Sequence, residues 1–586
     1  MTSANSGVIG YRPHPGAIVA WIMLTAAATV GVASGADVYP FRWLATYFSD
    51  DGVLTAPYLG LLMDSQKTVA WSLFVAGCVV SWLPIGRWAQ RGEQLPFRIV
   101  AGLSGLVAFG AAYLAQEWLF DGIPHVTDAI SHLFQAKIFA LGQMYSFAPD
   151  CPDAFWQTHI LMTNTGKWFT KYTPGHALLL AGSMRLGLLK LLLPLCAAAT
   201  IVVLGRLLQT YAGRAEARIF MVLFALSPLA ILLGGSYMSH FTAMACASGG
   251  VALWLHSRAA RFWTGAGACL AGSGFLLALS AMARPHEFLM LGLIGLLFQL
   301  TLGRSEWLRL FRDLPVLLLG AVPVLAFWMQ FNLSIYENPF VLGYGYTIDH
   351  VIRPSCQGVF GFTDTFGPKE ALSVLVWNFE RFNHSFLGWP CSLIFVPFAF
   401  SRGRVRLLFL ACAGIAVVVG TYFFYGWRTE YENRYYFLAL PFFLYLTVRG
   451  MRNLVTFRNS IRWRETAARG VTSIIVAFSL YSALFYWPRY LLPKYHGNYE
   501  DCSVELGQAV AHEGVTNALV LLGPDDGTSF HYSSGFIHNT PGLDGDVIYA
   551  RNLPKELACL RRSFPDRRFY RYDHTLEGPD RLVPFD

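Results

Sequence analysis

The sequence predicts an α-helical polytopic membrane protein of about 13 spans, closed by a small α/β segment on the outer side. Three observations predict it. The 586 residues are 54% hydrophobic and only 14% charged, with a mean hydropathy of +0.43; a soluble domain carries roughly a quarter charged residues. Apolar runs long enough to cross a bilayer, at about 20 residues each, recur along residues 1–489. Basic residues punctuate these runs, in loops that alternate in side.

The runs centre near residues 25, 77, 108, 198, 226, 248, 272, 294, 322, 385, 416, 442 and 479. The first ends in "VGVASGADV", whose small residues resemble a signal-peptidase site, but the loop alternation works when this run is kept as a span. Arg87, Arg91 and Arg98 fall in one loop; Arg206, Arg214 and Arg218 in another; Arg258, Arg261, Arg304, Arg309 and Arg312 follow on the same side. Arg402, Arg404, Arg406 and the loop from Arg449 to Arg469 complete the series. Assigned to the cytoplasm, these loops put the N-terminus inside and the C-terminus outside. The net charge of +8 is therefore an orientation signal, and nucleic acid is not expected as a partner.

On this topology the elaborate loops face outward. They cover about residues 119–175 and 333–372, with a short charged loop near 426–434 and a tail at 490–586. The tail reads as α/β: "NALVLL" (517–522) and "DVIYA" (546–550) as strands, "PKELACLRRSF" as a helix, and "RRFYRYD" as a third strand. Of ten cysteines, Cys151, Cys356, Cys502 and Cys559 lie outside, where disulfides persist. A Cys502–Cys559 bridge suits the tail, although pairing is not readable from sequence.

The residues with chemical potential gather in these loops. "HVTDAISHLFQAKIFALGQMYS" (125–146) has helical spacing, with Ile130, Leu133, Phe134, Ile138 and Leu141 on one face and Asp128, Ser131, His132 and Gln135 on the other. Thr127 is the expected N-cap, and a first-turn acid such as Asp128 is favoured there by the helix dipole alone. Because the segment follows a span, its apolar face is expected in the membrane interface, with Asp128 on a wet face above. His125, Asp128 and His132 could also present a face to a divalent cation, but no further ligand is evident. In "TGKWFTKYTPGHALLLAG" (165–182), Lys167 and Lys171 stand just above the membrane, where ammonium groups either anchor or meet lipid phosphate.

These segments resemble the first outer loop of bacterial GT-C glycosyltransferases, a superfamily that includes protein O-mannosyltransferases and the lipid A aminoarabinose transferase. "SYMSHFTAMA" (236–245), "AMARPHEF" (281–288), "ENPFVLGYGY" (337–346), "GVFGF" (358–362), "FLGWP" (386–390) and "NRYYFLALPFF" (433–443) extend the resemblance in order, as do "VIYARNL" and "FPDRRFYRY" in the tail. It spans nearly the whole chain, and "ENPFVLGYGY", "GVFGF" and "FLGWP" resemble family-39-like members of the superfamily. It departs at one place: the superfamily's Asp-Glu pair is Asp128-Ala129 here.

The resemblance implies a GT-C fold and transfer of a monosaccharide from a polyprenyl-phosphate donor to an envelope glycan, lipid or protein. Asp128 matches the acid assigned the catalytic role, as the base that takes the acceptor's proton. Lys171, Arg284 and Arg434 stand at outer boundaries within matching motifs, as candidates for the donor phosphate. Each has a plainer alternative: anchoring for the lysine, snorkelling for Arg284, and a pair with Glu430 or Glu432 for Arg434. His132, Gln135, Tyr172, His240, His286, Tyr344 and Tyr346 are candidate substrate contacts, although histidine caps and interfacial tyrosines need no such role. The rival functions are a lipid-linked sugar transporter, which usually carries mid-span charge and internal repeats, and a non-catalytic envelope-assembly protein. The spans here show no repeat and no mid-depth charge apart from Lys190.

Overall fold

The computed structural model describes residues 75–76, 79, 95–258, 263–343, 368–400, 405–423, 431–497, 499–500, 502–523, 530–573 and 581–585. The expected span near residue 25, nearly all of that near 77, most of the second large loop with Tyr344 and Tyr346, and Glu430 lie outside the described residues.

In lipid every backbone polar group must be satisfied within the chain, which restricts apolar runs to helices. In order these are α1 (Phe97–Leu114, continued by a π-helical turn to Leu119), α2 (Thr127–Ala140), α3 (Pro174–Arg185), α4 (Leu189–Tyr211), α5 (Arg214–Ala225), α6 (Pro228–Gly235), α7 (His240–Ser257) and α8 (Trp263–Ala283). There follow α9 (Pro285–Leu300), α10 (Arg304–Tyr336), α11 (Pro368–Ser385), α12 (Val405–Phe423), α13 (Leu440–Val455) and α14 (Ile461–Tyr481), which runs on through a π-helical stretch into α15 (Leu492–Tyr495).

Among the described residues six helices are long and apolar enough to cross a membrane, and α5 with α6 makes a seventh, bent by 57°. The chain is a multi-pass membrane protein. Helices also stand at the expected positions near 248, 294, 385 and 442, but they are shorter or less apolar. The α5–α6 bend has an identifiable cause: Pro228 starts the second helix, and Ser227 Oγ accepts from the Ala230 N–H at 3.4 Å while donating to Phe386 O at 2.6 Å.

At one end of the bundle the connections are short and basic, as in the Arg258–Glu306 ion pair (2.8 Å) between α7 and α10. The other end carries the large loops. Lys190 belongs to this end, in the first turn of α4 and paired with Glu117 at 2.5 Å, so it is not the mid-depth charge that its place in an apolar run suggested. The run started one turn before the lysine, and its length hid the boundary.

The loop after α1 holds a small antiparallel sheet of β1 (Ser146–Phe147), β3 (Lys167–Thr170) and β2 (Ile160–Met162), in that spatial order. The C-terminal part adds α16 (Glu505–His512), β4 (Ala518–Leu522), α17 (Phe530–Phe536), β5 (Val547–Arg551), α18 (Leu557–Ser563), β6 (Arg568–Asp573) and β7 (Arg581–Pro584). Its sheet runs β5-β4-β6-β7, with β4 parallel to both neighbours and β7 antiparallel to β6. All five residues of β4 are buried, as a central strand covered on both faces requires.

That core is shared with the first loop. Ile130, Phe134 and Ile138 of α2 pack with Phe155, Trp168, Leu519, Leu521 and Ile548. The apolar face of α2 thus meets the C-terminal sheet and not the membrane interface, and only Leu141 of the stripe is exposed. Each fully buried side chain of this kind stabilises the contact by roughly 1.5–3 kcal/mol. On the same helix the Lys137 ammonium donates to Ile537 O (2.6 Å) and Asn539 O (2.9 Å), and burial pushes its pKa down to about 8. The two parts are also joined covalently, by a Cys151–Cys559 disulfide. This corrects the expected Cys502–Cys559 pair: Cys502 is buried as a free thiol that donates to Pro124 O at 3.4 Å. Shared packing set the partner, and sequence proximity within the tail did not.

Non-reducing peptide mapping of the native protein should therefore recover a cross-linked peptide holding Cys151 and Cys559. Cys502 should alkylate only after denaturation. A Cys502–Cys559 peptide would contradict the fold.

Candidate functional site

The site begins where the chain enters α2. Val126 is extended (φ −84°, ψ 140°) and Thr127 is already the first helical residue, so Val126 and not Thr127 holds the N-cap position, and no side chain caps it. His125 is fixed by both ring nitrogens, Nδ1 with Tyr499 O (3.1 Å) and Nε2 with Phe120 O (3.0 Å). Asp128 lies in the first turn, where the helix dipole favours a carboxylate. Its face is not a wet one: Ser131, His132 and Gln135 are buried, and the Asp128 side chain is only 19% exposed.

Four side chains converge on that carboxylate. Tyr172 OH donates to Oδ1 at 2.6 Å. Arg434 Nη2 stands 3.6 Å and His159 Nε2 3.8 Å from Oδ2. Lys171, buried beside them with its ammonium 5.2 Å from the Tyr172 ring, adds a second positive charge. Burial pushes the Asp128 carboxyl up, but Arg434, His159, the Tyr172 hydrogen bond and Lys171 together outweigh it and hold the group well below the usual carboxylate range. His159 is held down to about 3 by burial and by Lys171, against the opposing pull of Asp128, and so is neutral at pH 7. The loop that presents it is tightly built: His159 takes a left-handed backbone (φ 68°), and its carbonyl accepts from Lys171 N at 3.0 Å. Nothing in the sequence marked His159, which sits in an irregular turn without periodicity.

Arg434 is aimed by the residues just before it. Tyr431 and Glu432 both adopt left-handed backbones (φ 48° and 59°), a conformation that costs about 1–3 kcal/mol per residue unless the surroundings impose it. Here they do. Tyr499 OH accepts from Tyr431 N (3.3 Å) and Tyr495 OH from Glu432 N (2.9 Å). The Glu432 carboxylate is fully buried, accepting from Lys494 Nζ (2.8 Å) and Tyr495 OH (3.0 Å), with Arg381 Nε at 3.7 Å. Asn433 Nδ2 donates to Asn378 O. Glu432 is thus taken up by Lys494, Tyr495 and Arg381, while Arg434 faces Asp128. Glu432 holds the turn, and the turn directs Arg434 at Asp128.

Arg284 belongs to a neighbouring cluster. Pro285 ends α8 and starts α9, leaving Arg284 between them with its Nε 2.6 Å from Glu287 Oε1, its Nη1 3.0 Å from Ser239 Oγ and its Nη2 3.3 Å from His286 Nε2. His240 is fully buried, its Nε2 4.0 Å from Glu287 Oε1. The "TPG" turn approaches this corner closely, since any side chain at Gly175 would strike the backbone of Met282 and Ala283. His132 links the two clusters: its ring is 4.7 Å from that of Tyr172 and 4.9 Å from that of His176. Burial first, then His176, keep His132 neutral.

The structure therefore brings Asp128, Lys171, Tyr172 and Arg434 into one site and sets Arg284, His240 and His286 beside it. Gln135 is a strut, not a surface group: it donates to Met144 O (2.9 Å) and accepts from Thr170 N (3.1 Å). Lys167 ties β3 to α10 through Ile335 O (3.3 Å) and Glu337 (3.6 Å). Ala129, where the resemblance expects a second acid, is fully buried in the apolar core. Tyr344 and Tyr346 lie outside the described residues; Gly343, just before them, packs closely against the Lys171 carbonyl.

A divalent cation does not fit these residues. The face of His125, Asp128 and His132 is broken up, since His125 is saturated, and a dication at Asp128 would stand beside two fixed positive charges. Among the described residues the one grouping of ligand atoms is Cys151, Glu556 and Cys559, whose two sulfurs are bonded to each other.

No family model matches this sequence, and no curated protein matches it. Solved structures do. ArnT from Cupriavidus metallidurans in the apo state superposes with a TM-score of 0.50 at 12% identity, covering 82% of this chain and 89% of its own. The same protein bound to undecaprenyl phosphate gives 0.48 at 12%, covering 80% and 88%. An oligosaccharyltransferase from Archaeoglobus fulgidus gives 0.42 at 11%, covering 81% and 69%. At such identity the likeness to apo ArnT is one of fold: this chain has the GT-C fold.

The electrostatics predict an acid-labile site. Glu432 is lowered to about 2 from an ordinary 4.5, against burial, by Lys494 and Arg381. Asp128 is lowered too, so both acids contribute stability that is present above about pH 4.5 and is lost as pH falls through their folded values. Glu432→Gln, which strands Lys494 and Arg381, should cost about 3–5 kcal/mol at neutral pH. It should also flatten the acid limb of a thermal-unfolding profile taken between pH 6 and pH 3. An unchanged acid limb would show that Glu432 does not hold the turn.

Proposed function

We propose that this protein is a membrane glycosyltransferase that moves a monosaccharide from a polyprenyl-phosphate carrier to an envelope glycan, lipid or protein on the outer face of a bacterial cytoplasmic membrane. The observation that carries the reading is the single carboxylate of Asp128, faced by Arg434 and Lys171 at the loop-bearing end of a GT-C bundle. A lipid-borne sugar phosphate needs positive charge at the membrane boundary and a base within reach of an acceptor hydroxyl, and both are present in one place.

The reaction is a displacement with inversion at C1. The acceptor oxygen forms the new bond to C1 as the C1–O bond to phosphate breaks, and the electron pair leaves with the polyprenyl phosphate. The acceptor's proton passes to the Asp128 carboxylate. Arg434 and Lys171 offset the charge that grows on the leaving phosphate, and Tyr172 holds the carboxylate in orientation. In this reading residues 1–489 form the catalytic membrane part and 490–586 an outer part. The latter buttresses the site through Tyr495 and Tyr499.

The test is a glycan profile of envelope material by mass spectrometry, from a deletion strain complemented with wild type or Asp128→Asn at matched expression. Wild type should restore a sugar whose transfer falls roughly 10²- to 10⁴-fold with Asp128→Asn. Full restoration by Asp128→Asn would leave Asp128 a structural acid and favour a transporter or an assembly protein.

A further inference from the structure

We propose that His159 holds the acceptor: its Nε2–H donates to the oxygen that attacks the sugar, so that the acceptor group is a hydroxyl and not an amine or amide nitrogen. The inference rests on the transferase reading above and names the chemical class of its acceptor.

The geometry begins with the two oxygens of Asp128. Tyr172 OH donates to Oδ1 at 2.6 Å. His159 Nε2 stands 3.8 Å from Oδ2. That is beyond the roughly 2.7–3.2 Å of a direct N–H···O hydrogen bond. It is a separation that one oxygen can bridge, donating to the carboxylate and accepting from the imidazole at about 2.8 Å from each. The Asp128 and His159 side chains also form the more open rim of the site, 19% and 12% exposed, against 6% for Arg434. His159 is held neutral at pH 7 by burial and by Lys171, and beside a carboxylate a neutral imidazole favours the tautomer that turns its N–H toward it.

The turn that carries His159 is fixed at both ends. Gln157 O accepts from Ile160 N at 3.1 Å, which closes the turn around the left-handed His159. On the outer side Gln157 is fully buried and its Nε2 donates to Ser533 Oγ at 2.8 Å, while the Arg551 guanidinium lies 5.4 Å from the Trp156 ring. Strained backbone conformations of this kind gather at sites of function. The acceptor side of Asp128 is thus braced by the C-terminal part.

Lone pairs set the acceptor class. A hydroxyl oxygen has two: one accepts from His159, the other forms the bond to C1, and the hydroxyl proton passes to Asp128 Oδ2. His159 keeps its own proton, and the electron pair of the broken C1–O bond leaves with the phosphate. An amine nitrogen has a single pair, which cannot serve both contacts, and that of an amide is delocalised into its carbonyl.

The test follows the sugar's appearance in the envelope by mass spectrometry, after induction of wild type or variant in the deletion strain at matched expression. Each full-length protein, in detergent micelles, is also titrated with undecaprenyl phosphate and checked by its unliganded melting temperature. His159→Phe keeps a ring against Tyr172, 5.5 Å away in the wild type, but lacks the N–H. It should slow the sugar's appearance roughly 10- to 100-fold, the loss of one hydrogen bond at the reacting oxygen, and bind undecaprenyl phosphate as wild type does. His159→Gln keeps a side-chain N–H and should recover most of the rate. The product should carry its sugar through oxygen. A folded His159→Phe as fast as wild type overturns the proposal, as do equal losses in His159→Phe and His159→Gln, a nitrogen-linked product, or undecaprenyl phosphate binding lost with His159→Phe. Failure of the transferase reading shows differently, as full restoration by Asp128→Asn or as folded wild type that does not bind undecaprenyl phosphate, and it takes this proposal with it.

Discussion

The site depends on one ion pair formed between distant parts of the chain, Asp128 with Arg434. Neither residue is near the other in sequence, and each is brought to the contact by its own structure. Asp128 arrives on the first turn of a helix packed beneath the C-terminal sheet. Arg434 arrives from a turn held in an unfavourable backbone conformation. Two charges taken largely out of water gain little by themselves, because desolvation offsets much of their attraction. Their meeting must therefore be imposed by the packing around them.

That packing is aromatic and acidic. Tyr431, Tyr495, Tyr499 and Phe120 form a cluster with ring centroids 4.6–6.0 Å apart, at the point where the last long helix leaves the bundle. Two of these tyrosines satisfy the left-handed turn by hydrogen bonds, and one also donates to Glu432. Glu432, surrounded by Lys494, Arg381 and Tyr495, is a fixed point behind the site. The arrangement sets two carboxylates apart: Glu432 is fully buried and holds structure, and Asp128 is left partly exposed.

Much of this was legible in the sequence, for definite reasons. Helical periodicity placed Asp128 on the face opposite Ile130, Phe134 and Ile138, and the order of loose motifs pointed to Lys171, Tyr172, Arg284 and Arg434. Periodicity says which residues are buried, not what buries them. The apolar stripe of α2 could not announce that the C-terminal sheet would cover it, and Asp128 was taken for a solvated acid for the same reason. His159 lies in a turn where no pattern exists to be read. The sequence shows Glu432 only as a near neighbour of Arg434, because Arg381 and Lys494, which face it, come from other helices. Lys190 was misplaced because an apolar run has no visible edge.

The Cys151–Cys559 bond gives the molecule a direction in time. Its two cysteines are separated by 408 residues, and every helix from α4 onward that is long and apolar enough to cross a membrane lies between them in the chain. While the chain is being made, the loop after α1 stands without its partner, its α2 stripe uncovered and the aromatic backing of Arg434 not yet synthesised. The site is thus completed at the end of assembly, when the last segment arrives and the disulfide closes. A truncated or stalled chain carries the acid but not the setting that controls it.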